Sequence, residues 1–70
     1  MTFSKNLKNL RMSAGIGQAA LAERISVSLK TVSHWETGYT EPSIAQLIML
    51  AEIFDVTLDD LVGREEKGQK

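Results

Sequence analysis

Lys30 and His34 stand four residues apart, with Ser33 between them and Leu29 before them, in a segment whose apolar positions are Val32 and Trp35. On a helix, residues four apart are neighbours, so Lys30 and His34 lie side by side on the face opposite Val32 and Trp35. An ammonium, an imidazole and a hydroxyl so arranged make a row of hydrogen-bond donors and acceptors rather than a reaction centre. Bond-making chemistry needs a nucleophile with its base, a carboxylate pair in a cleft, or converging metal ligands, and the chain has one His and no Cys. Asp55, Asp59 and Asp60 cluster, but their places beside and within the first turn of a short helix suit the helix dipole, and no second ligand group converges on them. The expectation is a binding protein, not an enzyme, with no cofactor, no metal and no small-molecule site.

The elements that must hold this row follow from punctuation. A chain of 70 residues supports one domain, and its apolar spacing is helical throughout, without the alternation of a half-buried strand. All-α is expected, in five helices. Phe3, Leu7, Leu10 and Ala14 mark helix 1, and Gly15 stands where a left-handed C-terminal cap costs little. Gln18 to Ile25 form helix 2 behind Gly17, a second-rank N-cap. Ser28 caps helix 3, from Leu29 to Thr37, which Gly38 stops. Ser43 and Gln46 have capping-box spacing and open helix 4, which runs to about Phe54. Thr57 with Asp60 opens a last helix closed by Gly63. The reading gives a domain over residues 1–63 and a polar tail over 64–70, with no internal repeat and no Pro-rich linker. With no apolar run long enough for a membrane span and a start too polar for a secretory signal, a cytoplasmic protein is expected.

Charge is polarised along the chain. Residues 1–34 carry Lys5, Lys8, Arg11, Arg24 and Lys30 against Glu23 alone, whereas residues 35–62 carry Glu36, Glu41, Glu52, Asp55, Asp59 and Asp60 with no Lys or Arg. A basic half can be offered to a polyanion while the acidic half sets orientation. Between Gln18 and Glu36, Leu21, Ile25, Val27, Val32 and Trp35 are apolar where two short helices must face one another, and Ala22 is small where the second helix presses in. That spacing describes a helix-turn-helix.

The segment QAALAERISVSLKTVSHWETGYTEPS, together with LRMSAGI before it and PSIAQLIMLAEIFDVTLDDL around and after it, resembles the DNA-binding domain of lambda repressor and Cro-like, Xre-type regulators across nearly the whole chain. Ser26 departs from the glycine usual in the turn. Either it keeps left-handed geometry, at roughly 1 kcal/mol or more, or the turn is reshaped. Gly17 departs from the usual Ser or Thr. The resemblance implies a compact five-helix, lambda-repressor-like domain whose helix 3 enters the major groove of double-stranded DNA, about 12 Å wide and rich in base-specific donors and acceptors. Ser28, at the helix start, and Leu29, Lys30 and His34 then fall on base-contacting positions. Gln18, Thr31, Ser33, Tyr39 and Thr40 fall where the sugar-phosphate backbone is contacted. Arg11 is implied to pair with Glu36, and Ala22, Val32 and Trp35 are read as structural support.

Helix 4 carries more apolar surface than one face needs. Ile44, Leu47, Ile48, Leu50, Ala51 and Phe54 are expected inward, with Met49 and Ile53 on the other side. Met49, Ile53, Leu58 and Val62 are the candidates for a two-fold homodimer interface, because one short helix reads too few base pairs for genomic specificity. A dimer would meet successive major grooves about 34 Å apart on a near-palindromic operator. The expected function is a sequence-specific transcriptional regulator, a repressor of prophage or bacterial type. The alternatives are an antitoxin-like interaction module of the same fold, or the N-terminal domain of a longer effector-sensing regulator.

Overall fold

In the computed structural model, which describes residues 2–63, the helices are α1 Thr2–Ser13, α2 Gln18–Ile25, α3 Leu29–Thr37, α4 Ile44–Phe54 and α5 Leu58–Val62. The proposed tail over 64–70 lies outside the described residues. Each boundary has a local cause. Ser28 Oγ accepts from the Thr31 amide at 3.1 Å, and Thr57 Oγ1 accepts from the Asp60 amide at 3.0 Å. At α4 the capping box is closed both ways, Gln46 N donating to Ser43 Oγ at 3.1 Å and Ser43 N donating to Gln46 Oε1 at 2.8 Å. Among α2 to α5, only α2 begins without a side-chain cap, since Gly17 has none to offer.

Four helices end in the same way. A residue with positive φ (Gly15, Ser26, Gly38 or Asp55) turns the chain. The next amide reaches back across the last turn, Ile16 to Arg11 O, Val27 to Ala22 O, Tyr39 to His34 O and Val56 to Ala51 O. This is the Schellman arrangement, which satisfies carbonyls the helix leaves open. Ser26 keeps the left-handed geometry, at φ 61° and ψ 45°, so the turn has glycine's shape without glycine.

The corner between α2 and α3 recurs between α4 and α5. Ile25-Ser26-Val27-Ser28-Leu29 and Phe54-Asp55-Val56-Thr57-Leu58 run through the same steps: last helical apolar residue, left-handed residue, core-packed valine, hydroxyl cap and exposed leucine. Only the two Val–Leu positions are identical in sequence, so the recurrence lies in the backbone.

The core is Phe3 and Leu7 of α1, Leu21, Ala22 and Ile25 of α2, Val32 and Trp35 of α3, Leu50 and Ala51 of α4, and Leu61 of α5. α3 packs against both α2 and α1, while α5 packs against α1 and α4. Two expectations about facing are corrected. Ala14 lies past the end of α1 and is exposed. On α4, Ile44 and Ile48 are 75% and 44% exposed, whereas Ile53 packs against the core. Leu47, Leu50, Ala51 and Phe54 already provide the i, i+3, i+4, i+7 stripe that one helix face can bury, and Ile44, in the first turn, projects beyond it.

Candidate nucleic-acid interface

α3 has two sides of opposite character. Val32 and Trp35 are 0% and 2% exposed, whereas Leu29 is 51% exposed. Lys30 beside it is exposed, and Thr31, Ser33 and His34 are half-buried. The structure brings Leu29, Lys30, Ser33 and His34 onto the side away from the core. Ser28 and Thr31 join at the helix start, where their hydroxyls are 2.9 Å apart. Ser28 is therefore already engaged twice, by the Thr31 amide and the Thr31 hydroxyl.

What holds this helix is a buried ion pair in its last turn. Arg11 Nε donates to Glu36 Oε2 at 2.6 Å and Arg11 Nη2 donates to Glu36 Oε1 at 3.2 Å, a two-pronged contact. Arg11 Nη1 also donates to the Ile16 carbonyl at 2.9 Å. The side chains are 12% and 3% exposed. Hydrogen bonding to Glu36 raises the Arg11 pKa, against the opposing effect of burial. A carboxylate near a helix C-terminus opposes the dipole, so Glu36 is tolerable there because the guanidinium compensates it. Replacing such a pair with apolar residues can be neutral, but removing one member typically costs about 3–5 kcal/mol. Its role is to fix where α3 lies relative to α1.

Gln18, the first residue of α2, joins the pair: its Nε2 donates to Glu36 Oε1 at 3.0 Å. Sequence reading assigned Gln18 to the DNA backbone and missed this bond, for which separation by 18 residues gives no periodic signal. An amide nitrogen has two hydrogens, so one remains after Glu36 is served. The first intrahelical bond of α2 is Leu21 N to Gly17 O at 3.1 Å. The amides of Gln18, Ala19 and Ala20 precede it, at a helix end without a capping side chain. That is the arrangement that attracts anions.

Beyond α3, Tyr39 is 76% exposed and its ring lies against the His34 imidazole, with centroids 4.7 Å apart and planes inclined by 59°. Tilted aromatic pairs of this spacing contribute about 0.5–1.5 kcal/mol beyond their burial. Thr40 is exposed in the same loop. Sequence reading named both rings separately. The signal that could have joined them is their separation of five residues across a glycine that ends a helix.

The dimer candidates are less uniform. Met49 and Leu58 are 40% and 43% exposed, Val62 is half-buried, and Ile53 is turned toward the core. Among the described residues, no cluster of His, Cys, Asp and Glu could hold a metal ion, and no helix is long and apolar enough to cross a membrane.

A helix-turn-helix family model matches residues 7–61. The chain is 31% identical over 70 residues to the HTH-type transcriptional regulator ImmR of Bacillus subtilis, covering 100% of this chain and 55% of that protein. It is 36% identical over 66 residues to the HTH-type transcriptional activator BcrR of Enterococcus faecalis, covering 94% of this chain and 32% of that one. Of solved structures, the P22 c2 repressor in complex with a synthetic operator superposes with a TM-score of 0.82 at 29% identity, covering 89% of this chain and 94% of that chain. The chain thus spans about a third to a half of the two regulators' lengths. Matched from α1 to α5 by the family model and superposing on a phage repressor, the chain belongs to the Xre-type, lambda-repressor-like helix-turn-helix family of DNA-binding transcriptional regulators, not to a family of enzymes.

Proposed function

We propose that this domain reads a specific double-stranded operator through the major groove with α3 and acts as a repressor. The observation that carries the reading is the two-sidedness of α3. Its inner side and last turn are fixed by Trp35, Val32 and the Arg11–Glu36 pair, while Leu29 and Lys30 stand exposed on the outer side with His34. Lys30 donates to guanine O6 and N7, His34 bonds a base edge and Leu29 presses on a thymine methyl, each pairing chemically suited to groove edges. Gln18, with the open amides of α2, holds a phosphate, and Thr31, Ser33, Tyr39 and Thr40 add backbone contacts that set register rather than sequence. The P22 c2 repressor, a neighbour of this fold, is known bound to operator DNA, which supports the same docking here.

A homodimer on a near-palindromic site completes the proposal. Exposed Ile44, Ile48 and Met49 of α4, with Leu58 of α5, supply apolar surface for a two-fold contact. Selecting random duplexes on the purified protein tests the whole reading. The expected result is one motif with two inverted half-sites about one helical turn apart. Enrichment of no motif would overturn sequence-specific reading, and a single asymmetric half-site bound by a sedimenting monomer would remove the dimer. For Lys30→Ala, preference at one base pair should drop by about 5- to 150-fold, the equivalent of 1–3 kcal/mol. Gln18→Ala should weaken all duplexes with little change in preference.

A further inference from the structure

We propose that Tyr39 determines base preference indirectly, by holding the plane of the His34 imidazole at the DNA-facing side of α3. This rests on the proposed reading of DNA by α3 and adds a residue that acts on specificity without touching a base.

The argument begins at the helix ends. Where α1, α2 and α4 finish, the residue after the left-handed turn is Ile16, Val27 or Val56, and each packs against the core. At α3 the corresponding residue is Tyr39, and it is 76% exposed. Its ring is turned instead to the imidazole, 4.7 Å away. The backbone brings the two residues together. Gly38, at φ 82°, reverses the chain, and Tyr39 N and Thr40 N both donate to the His34 carbonyl, at 2.9 and 3.4 Å. Thr37 Oγ1 donates to the same carbonyl at 3.2 Å. Tyr39 is thereby tied to the residue whose ring it lies against.

The consequence concerns the imidazole's freedom. The second side-chain torsion of histidine is broad and roughly two-fold, and its two nitrogens differ, one donating and one accepting in the neutral ring. An imidazole free to swing about that torsion can aim its nitrogens along many lines and so accept more than one base. With the Tyr39 ring 4.7 Å away, the imidazole has fewer planes open to it; a half-turn keeps that plane, so what Tyr39 fixes is the line along which a ring nitrogen meets a base edge. The phenolic hydroxyl is not needed for this; the ring is.

Duplex selection on the wild-type domain, Tyr39→Phe, Tyr39→Leu, His34→Ala and the His34→Ala, Tyr39→Leu double variant tests the inference, with urea midpoints confirming that each folds. His34→Ala should flatten preference at one base pair. Tyr39→Leu should flatten the same base pair, reducing a preference of about 5- to 150-fold toward unity, and Tyr39→Phe should retain it. The double variant should match His34→Ala there. A uniform loss of affinity in Tyr39→Leu with preference intact would make Tyr39 a backbone contact alone and overturn the inference. So would loss of preference at that base pair in Tyr39→Phe. If the wild-type domain enriches a motif and His34→Ala alters none of it, this inference falls while groove reading stands; no motif at all would remove the underlying reading instead.

Discussion

At the α2–α3 corner the chain turns through Ser26 at φ 61° and ψ 45°, and at the α4–α5 corner through Asp55 at φ 56° and ψ 48°. The caps that follow, Ser28 and Thr57, have φ of −80° and −79°. The leucines after them are 51% and 43% exposed, and Val32 and Leu61, three residues further on, are both fully buried. Divergence begins one residue past the leucine. Lys30 and Thr31 in α3 correspond to Asp59 and Asp60 in α5. Two carboxylates in a first turn suit the helix dipole and repel a phosphate backbone. The helix-turn-helix shape is thus a way of joining two helices at a fixed angle. What suits one corner, and not the other, to the proposed reading of DNA is charge, and the support behind it.

Support is the larger difference. α3 is clamped by the buried Arg11–Glu36–Gln18 network, whereas α5 is tied to α1 by Asn6 Nδ2, which donates to the Asp60 and Leu61 carbonyls at 3.2 and 3.4 Å. Glu36→Ala should destabilise the domain by about 3–5 kcal/mol, because Arg11 is left buried without its partner. Asn6→Ala should cost no more than about 0.5–1.5 kcal/mol, the net worth of an ordinary hydrogen bond. Urea unfolding of the two variants measures both. Equal losses would mean that α3 is no better anchored than α5.

Charge can be exchanged between the corners. Lys30→Asp should weaken operator binding by more than tenfold, combining a lost base contact with repulsion from the phosphates. Asp59→Lys should leave operator affinity close to that of the wild type and lower stability by about 0.3–1 kcal/mol through the dipole. A competition assay at one fixed salt concentration reads both. An Asp59→Lys loss as large as that of Lys30→Asp would place α5 at the DNA and undo the distinction.

The caps offer a closer match. Ser28→Ala and Thr57→Ala each remove one hydroxyl that accepts from the third helical amide, so each should cost about 1 kcal/mol, or roughly 4–8 °C in Tm for a domain of this size. Only Ser28→Ala should also reduce operator affinity, since it releases the Thr31 hydroxyl beside the side of α3 proposed to face the groove. Thermal unfolding with and without DNA separates the shared cost from the unshared one.

Much of this was legible in the sequence because caps are local. Ser28, the Ser43–Gln46 box, Thr57 and the glycines at 15, 38 and 63 mark helix ends through contacts spanning three to five residues, and the structure uses each of them. Val32 and Trp35 could be assigned inward because α3 has few apolar residues and only one way to bury them. α4 defeated the same logic. Apolar around most of its circumference, it carries no polar face to say which stripe turns in, so Ile44 and Ile48 were expected buried and Ile53 exposed. Their facing is set by where α1, α2 and α5 leave room, which is long-range information. The Gln18–Glu36 bond and the contact of Tyr39 with His34 likewise depend on how α2 and the loop after α3 are placed, not on any period along the chain.

The finest comparison is between the two left-handed residues. A non-glycine residue there pays roughly 1–2 kcal/mol against a right-handed one, and glycine removes that strain. Glycine also gives the unfolded chain more freedom, which takes back about 0.4–1 kcal/mol. For Ser26→Gly the balance should be a net gain of about half a kcal/mol, or roughly 2–4 °C in Tm. Asparagine and aspartate visit this region more readily, because a short polar side chain can bond locally, so Asp55→Gly relieves less strain for the same entropic cost and should change stability little. A larger gain at Asp55 than at Ser26 would show that the turns differ in strain despite nearly equal dihedral angles. Neither variant should alter base preference, because Ser26 and Asp55 shape the corners, whereas the proposed reading belongs to the outer side of α3.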